Sequence, residues 1–268
     1  MTVERRLLPR AERTVIQAVI VLVSLALWEY VPKVDLVADH VRFLDPYYIS
    51  SPTQVWASLK SLLAGDAGSG SLWPYFRTTL VSTVEGTLVG LILGALAGLL
   101  FSNSHRLADI FRPFIVLANS VPRIALIPIS VVIFGPTATA SVVNVITVVF
   151  FVAFFNAFEG GRSIRPAVLE NAQLLGASSW QLMRSIRLPR VLMWTFAAVP
   201  NAISFGLIVS VTTELLAGVR GMGVLLQSAT TYLQTSLTFA IVILLSAMGL
   251  ALYGGAVLLQ RLVLRWEE

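Results

Sequence analysis

The run from Ile124 to Phe158 decides the fold; it reads IALIPISVVIFGPTATASVVNVITVVFFVAFFNAF and contains no Asp, Glu, Lys or Arg. One helix needs about 20 mostly apolar residues to cross a bilayer core. This run is long enough for two crossings, and Gly135-Pro136 interrupts it, because proline lacks a backbone donor and glycine loosens the backbone. The sequence therefore predicts two membrane-spanning helices joined by a very short turn.

The overall composition points the same way. The chain has 268 residues, of which 56% are hydrophobic and only 12% charged, and its mean hydropathy is +0.82. Soluble domains carry about 25% charged residues, so an ordinary cytosolic enzyme or a disordered chain does not fit. The absence of cysteine excludes disulfide frameworks, thiolate metal sites and cysteine nucleophiles. We expect an all-α, polytopic membrane protein.

Apolar stretches elsewhere extend the prediction to six transmembrane helices with both termini on one side. The predicted spans are 14–32, 79–102, 112–134, 138–160, 194–217 and 237–262. A cleaved signal peptide is the alternative for the first span, since arginines precede it. No small-residue cleavage site follows, however, and the chain continues Trp28-Glu29-Tyr30-Val31-Pro32. An uncleaved first span is therefore favoured.

The basic residues set the orientation of a single transmembrane domain over 1–268. Most arginines lie in the N-terminal tail 1–13, in the loop after the second span, in the loop 162–193 and at the C-terminus. The first long loop, 33–77, instead balances its basic residues with aspartates. By the positive-inside rule, the termini and the loop 162–193 face the cytoplasm, and 33–77 is extracytoplasmic.

Two features stand out in the extracytoplasmic loop. Ser51-Pro52-Thr53, followed by Val55, Leu59 and Leu62, predicts a capped, short amphipathic helix. The tract 65–71, rich in glycine and serine, predicts a flexible loop.

The cytoplasmic loop 162–193 is too polar to span and long enough for two short helices. Apolar side chains recur at helical spacing over 166–175, and Gly176 is placed to end that helix. Ser178 or Ser179 can cap a second helix over 180–186, which we expect Leu188-Pro189 to close before the fifth span.

This loop resembles the signature of ABC-transporter permeases from bacterial binding-protein-dependent importers. The family pattern is E-A-A, three residues, G, nine residues, I, one residue and L-P. The matching residues, at the same gaps, are Glu170, Asn171, Ala172, Gly176, Ile186, Leu188 and Pro189. Asn171 stands where the family has alanine, and asparagine still fits a solvent-facing helical position.

The resemblance continues outside the loop, from about residue 50 to the C-terminus. It covers the stretch before the second span (Ser50-Ser51-Pro52-Thr53), the third-span stretch 122–135, and Glu214 with Gly221-Met222-Gly223. It is closest to the nitrate, sulfonate and taurine branch, which also includes carriers for aromatic acids and thiamine-precursor pyrimidines. It implies a type I importer fold in a bacterial inner membrane and a small, anionic or heterocyclic solute.

In such permeases the first loop helix docks into a cleft on a nucleotide-binding subunit. The resemblance therefore implies an ATPase-docking loop made of Glu170, Asn171, Ala172, Gly176, Ala177, Ser178, Ile186, Leu188 and Pro189. It also implies as partners two ATP-binding subunits, a second permease copy (a homodimer, with a homologous partner as the alternative) and an extracytoplasmic solute-binding protein. An arginine-rich loop lying at the lipid headgroups is the alternative, but headgroup binding requires no such spacing.

This chain is not expected to be an enzyme or to bind a cofactor itself. No G-x-x-x-x-G-K-[ST] phosphate-binding motif occurs in the sequence, so ATP and Mg²⁺ belong to the partner ATPase. Neither histidine is part of an H-E-x-x-H pattern, and no metal site is predicted. A self-contained secondary transporter is the alternative function; it would need a mid-membrane carboxylate, for which Glu85 is the candidate.

Polar residues within the spans are candidates for the translocation pathway or its gate. They are Asn119, Arg123, Ser210, Thr213 and Glu214. Arg123 would attract an anion, or else it would snorkel to the membrane interface or pair with Glu85 or Glu214. For Glu214 a structural ion pair or hydrogen bond is favoured over contact with the solute. The glycines spaced every four residues from Gly86 to Gly98 predict close helix packing.

Overall fold

The computed structural model describes residues 10–33, 45–65 and 70–263, and they are helical throughout, with no strand among them. The first helices are α1 (Arg10–Tyr30), followed by a 3₁₀ turn (Val31–Lys33), α2 (Pro46–Ile49), α3 (Pro52–Ala64), α4 (Trp73–Ser102), α5 (His105–Ser120) and, after a 3₁₀ turn (Arg123–Leu126), α6 (Ile127–Phe134). The later helices are α7 (Ala138–Arg162), α8 (Pro166–Leu174), α9 (Ser179–Leu182), a π-helical turn (Met183–Arg187), α10 (Leu188–Ala217), α11 (Met222–Thr231) and α12 (Thr235–Val263). The predicted tail 1–13 and the tract 65–71 lie largely outside the described residues.

Five helical stretches in the described residues are long and apolar enough to cross a membrane, and the bent pair α5–α6 would make a sixth. The all-helical, polytopic prediction is confirmed. Its boundaries were too narrow for the second span, which begins at Trp73, and for the fifth, whose helix begins at Leu188.

The third predicted span, 112–134, is not one helix. Its two halves meet at an angle of 79°. Val121 and Pro122 are both extended, with ψ of 125° and 108°. A residue that precedes proline is driven out of the helical region by its Cδ atom, so the helix ends at Ser120. By contrast, Pro128 lies in the first turn of α6, where no donor is needed.

The fifth span also differs from its prediction, because Leu188-Pro189 does not close a helix. A π-helical turn leads from α9 directly into α10, and the Leu188 N–H donates to the Met183 carbonyl, five residues back. Pro189 then stands at the start of α10, where a missing donor costs little. The wider turn lets the helix pass through the proline without a break.

The described residues divide into two compact units. One contains the described parts of 1–71 and 229–242. Within it, Ser51 caps α3 by accepting from the Gln54 N–H, and Val55 and Leu62 are buried, as the amphipathic pattern predicts. The indole of Trp28 in α1 donates to the Ile49 carbonyl at 3.1 Å.

The other unit contains the described parts of 72–228 and 243–268, and its core is a layer of three helices. α4 and α7 pack along their length, and α10 lies against both. Val145, Val149 and Ala202 are fully buried at the centre. The α4 glycines make this close approach possible: a Cβ atom added to Gly90 would lie 2.8 Å from the Val149 Cβ. The predicted packing role of the glycine stripe is confirmed.

Candidate functional site

The loop segment, defined here as residues 163–187, begins with a helix that ends in a glycine motif. Gly176 has φ of +85°, its N–H donates to the Gln173 carbonyl at 2.9 Å, and the Ala177 N–H donates to the Ala172 carbonyl at 3.0 Å. This pair of bonds is the Schellman arrangement, which needs a left-handed residue and so favours glycine. The sequence prediction that Gly176 ends the first helix is confirmed.

A reciprocal cap starts the second helix of the segment. The Ser178 hydroxyl accepts from the Gln181 N–H, and the Gln181 side chain accepts from the Ser178 N–H at 2.7 Å. Of the two serines considered for this cap, Ser178 is the one that serves. Hydrogen bonds therefore define both the end of the first short helix and the start of the second.

Large apolar side chains project from this polar segment. Leu174 is 85% exposed, Leu175 89% and Trp180 70%. Leu174 and Leu175 precede the Gly176 turn and Trp180 follows it, whereas the charged residues Glu170 and Arg184 lie farther from the turn along the chain. Apolar groups gathered at one turn and left uncovered by their own chain are typical of a surface that a partner covers.

Two arginines, Arg187 in the loop segment and Arg190 at the start of α10, connect the segment to the ends of the core helices. Arg187 donates to the Asn103 carbonyl oxygen at 3.2 Å and to the Asn103 side-chain oxygen, just after α4 ends. Arg190 Nε donates to Ser163 Oγ at 3.1 Å, just after α7 ends. Sequence reasoning used these arginines only as charge and missed both contacts, because no spacing rule relates residues 187 and 103.

A separate cavity of about 720 Å³ opens among α5, α7 and α10. Its lining combines one arginine, three asparagines and four aromatic rings; these are Arg123, Asn119, Asn156, Asn201, Phe151, Phe155, Trp194 and Phe205. Ligand cavities of about 300–1,000 Å³ are typical of small-molecule sites. Its size and mixed lining therefore suit a small solute.

Arg123 is held at the cavity by two contacts. Its Nη2 donates to Asn119 Oδ1 at 2.5 Å, and its guanidinium lies 4.8 Å from the centre of the Phe151 ring. The break at Pro122 places Arg123 in the 3₁₀ turn, at the corner between α5 and α6. The alternative that Arg123 pairs with Glu85 or Glu214 is wrong for this structure, since its contacts go to Asn119 and Phe151 and Glu85 is exposed on α4.

Glu214 lies in the protein interior instead. Its carboxylate is fully buried and accepts from the Thr79 hydroxyl at 2.8 Å, from the Gly223 N–H at 2.9 Å and from the Ser210 hydroxyl at 3.4 Å. Thr79 in turn accepts from the Met222 N–H at 2.9 Å. The favoured structural role, by hydrogen bonding, agrees with this geometry, and Thr79 is a member that the sequence did not reveal.

The predicted pathway residues thus separate into two groups. Asn119 and Arg123 meet in the cavity, whereas Ser210, Thr213 and Glu214 lie within the helical core. Thr213 accepts from the Asn144 amide at 3.3 Å, in a cluster that also includes Ser130. Asn156, Asn201 and the four rings complete the cavity. Helical periodicity alone could have indicated only that some of them share a face.

Comparison with known proteins identifies the family to which this chain is similar. Residues 88–265 match the family described as binding-protein-dependent transport system inner membrane component. The riboflavin transport system permease RibX of Chloroflexus aurantiacus is 30% identical over 199 residues, which is 74% of each chain. The taurine transport system permease TauC of Escherichia coli is 26% identical over 85% of this chain and 83% of its own length.

A solved structure shares the fold. A chain of the MetNI methionine ABC transporter, in an inward-facing conformation, superposes with a TM-score of 0.60 at 19% identity, covering 80% of this chain and 99% of its own length. Since the family match includes the loop segment, the cavity-lining helices and the last predicted span, the chain belongs to the binding-protein-dependent inner membrane components, the non-catalytic permease subunits of ABC importers.

Proposed function

We propose that this permease carries a small, anionic or heterocyclic solute through the bilayer and that its loop segment docks on a separate ATPase subunit. The observation that carries the proposal is the exposure of Leu174, Leu175 and Trp180 around a hydrogen-bonded turn. Burying a leucine side chain contributes about 1.5–3 kcal/mol. A cleft on the ATPase that covered this turn would therefore gain binding free energy from burying these side chains.

Rigid attachment supports a role in transmitting motion. The loop segment continues into α10 without a helix break, Arg187 bonds it to Asn103 at the end of α4, and Arg190 of α10 bonds Ser163, where the segment leaves α7. A force applied at the Gly176 turn would therefore reach all three helices of the core. Closing two ATPase subunits would move these helices, and hydrolysis would reset them.

The charge distribution supports an orientation with both termini and the loop segment in the cytoplasm. In this orientation residues 33–77 face the solute-binding protein. The functional unit would hold two permease copies, in a homodimer, and two ATP-binding subunits, with ATP and Mg²⁺ on the ATPase alone. These assignments rest on the family and on the sequence.

The cavity supports the solute class. Arg123 supplies a positive charge and the surrounding rings supply flat apolar walls. Among the relatives, the name of one refers to riboflavin, a heterocycle, and that of another to taurine, a small sulfonate. Both chemistries lie within the proposed class.

The docking surface is tested with a double variant, Leu174→Ser and Leu175→Ser, coexpressed with the cognate ATPase subunit. We expect the tagged permease to reach the membrane in normal amount and to lose most of the copurifying ATPase. Leu63→Ser is the matched control, because Leu63 is 62% exposed on α3 and lies outside the loop segment. Equal ATPase recovery from both proteins would refute docking through this turn.

A further inference from the structure

The cavity among α5, α7 and α10 has a chemistry narrower than the solute class proposed above. We propose that it binds a planar aromatic or heteroaromatic carboxylate, held by Arg123 at its charged end and by aromatic rings along its faces. This inference rests on the proposed transport function and specifies the substrate class of the same pathway.

The charged end depends on the unused donors of Arg123. A guanidinium has five N–H groups, and the one donated to Asn119 is its only hydrogen bond within the described residues. The Nε atom is buried and has no partner there. A buried cationic donor left unpaired is costly, and a carboxylate can accept two parallel bonds from such a group.

No acidic side chain of the described chain fills that role. The lining of the cavity contains neither Asp nor Glu. Glu214 is committed to Thr79, Ser210 and Gly223. Phe151 and Asn119 fix the plane of the guanidinium without neutralising it. Within the described residues no anion completes this site, and the carboxylate of a solute would do so.

The walls favour a flat ring over an aliphatic chain. Phe151, Phe155 and Trp194 are half-buried along α7 and α10, and Phe205 is 49% exposed. Rings of this kind bind another ring by offset stacking or by edge-to-face contact. Taurine has no ring and would gain only the contact to Arg123.

Two amides can orient the heteroatoms of such a ring. The Asn156 amide nitrogen donates to the Val152 carbonyl at 2.8 Å, which leaves its side-chain oxygen to accept from a ligand N–H or O–H. Asn201 is exposed at the cavity, and its side-chain oxygen and nitrogen make no hydrogen bond within the described residues. Each polar group that a ligand satisfies adds orientation and specificity.

Photolabelling of the purified permease–ATPase complex, without binding protein, tests the site directly. The probe is 4-azidobenzoate, and mass spectrometry locates the labelled peptides. We expect label within residues 148–156 or 193–205, protection by benzoate, and no protection by equal concentrations of taurine or benzylamine. Label confined to other peptides, or equal protection by taurine, would overturn the proposal.

Two variants separate the charged end from the walls. Arg123→Gln should reduce benzoate-protectable labelling at least tenfold, because it removes the charge-assisted hydrogen bonds to the carboxylate. Phe205→Leu should weaken benzoate protection several-fold. Because Phe205 is half exposed, this variant keeps the fold available if Arg123→Gln proves unstable. Phe114→Leu is the control, as Phe114 is 63% exposed on α5 away from the cavity and should change nothing.

The same preparations distinguish failure of this inference from failure of the proposed function. ATPase copurification that depends on Leu174 and Leu175, together with labelling indifferent to Arg123, would reject the aromatic carboxylate site and leave the importer proposal intact. Site-specific labelling without ATPase association would support the site and reject docking through the loop segment.

Discussion

At the scale of single residues, Gly176 serves the fold through its backbone conformation. It has φ of +85°, and a Cβ atom added there would lie within 4 Å of no other atom of the described residues. Crowding within the chain therefore does not explain the glycine. The left-handed conformation does, because other residues pay roughly 1–2 kcal/mol to adopt it.

The effect of replacing Gly176 on uptake should depend on how well the new residue tolerates the left-handed backbone conformation. We expect Gly176→Val to be inserted in the membrane normally but to lose ATP-driven uptake. Gly176→Asn should retain most uptake, because asparagine tolerates the left-handed region. Immunoblots of membranes and uptake assays measure the two effects. If both variants are equally inactive, contact with the partner, rather than φ, explains the glycine.

Glu214 illustrates a buried carboxylate held by donors. Glu214→Leu would leave the Thr79 hydroxyl, the Gly223 N–H and the Ser210 hydroxyl without their acceptor. Each unsatisfied buried group costs about 1–3 kcal/mol. We expect Glu214→Leu to have a clearly lower thermal midpoint of unfolding in detergent than the wild type. The midpoint of Glu214→Gln should lie between those of the wild type and Glu214→Leu.

Glu85→Leu is the matched control for that series, since Glu85 is exposed on α4 and no hydrogen bond or ion pair involves it in the described residues. It should leave the thermal midpoint unchanged. Similar midpoints for Glu85→Leu and Glu214→Leu would contradict the structural role given to Glu214.

Residue-level prediction from sequence succeeded where local rules apply and failed across long separations. The caps at Ser51 and Ser178 and the glycine at 176 depend on neighbours within a few positions. By contrast, Thr79, one partner of Glu214, lies 135 residues away from it, and Asn103, the partner of Arg187, lies 84 residues away. No local pattern carries that information, which only the packing of the helices creates.

At the scale of helices and turns, the position of each proline relative to the hydrogen-bond ladder decided its effect. Pro122 ends a helix because the residue before it becomes extended. Pro189 ends none, because it stands at the start of α10 and follows a π-helical turn. Composition identified all the apolar runs, but it could not distinguish these two cases.

The close packing of α4 against α7 can be tested at Gly94. A Cβ atom added to Gly94 would lie 2.7 Å from the Ala153 Cβ and 2.9 Å from the Phe154 nitrogen. Overpacking of this kind costs about 1–3 kcal/mol, so Gly94→Ala should lower the thermal midpoint. Gly254→Ala on α12 is the control, because nothing lies within 4 Å of its added atom. Equal stability of both variants would refute the close approach.

The bond from Arg187 to Asn103 is the element-scale test of coupling. We expect Arg187→Ala to keep the ATPase bound but to reduce solute uptake per ATP hydrolysed, because the link from the loop segment to α4 is lost. Coupling changes of this type are about 0.5–2 kcal/mol. Arg184→Ala, on the same turn and exposed, should behave as wild type. Unchanged coupling in Arg187→Ala would show that the bond to Asn103 does not transmit the motion.

At the scale of the whole molecule, a membrane permease is recognisable from composition, apolar run length and one spaced loop motif. These features are one-dimensional and so are visible in the sequence. The cavity was only partly predictable: Arg123 and Asn119 were candidates, but the rings of α7 and α10 meet there only because the helices pack as they do.

The central claim is that this chain is a transport subunit driven by a separate ATPase. The direct measurement is uptake of radiolabelled taurine, riboflavin and benzoate into proteoliposomes, with and without the ATPase subunit, the binding protein and enclosed ATP. We predict that uptake of at least one solute requires all three and continues when an ionophore collapses the ion gradients. Uptake by this chain alone, abolished by the ionophore and indifferent to ATP, would contradict the claim.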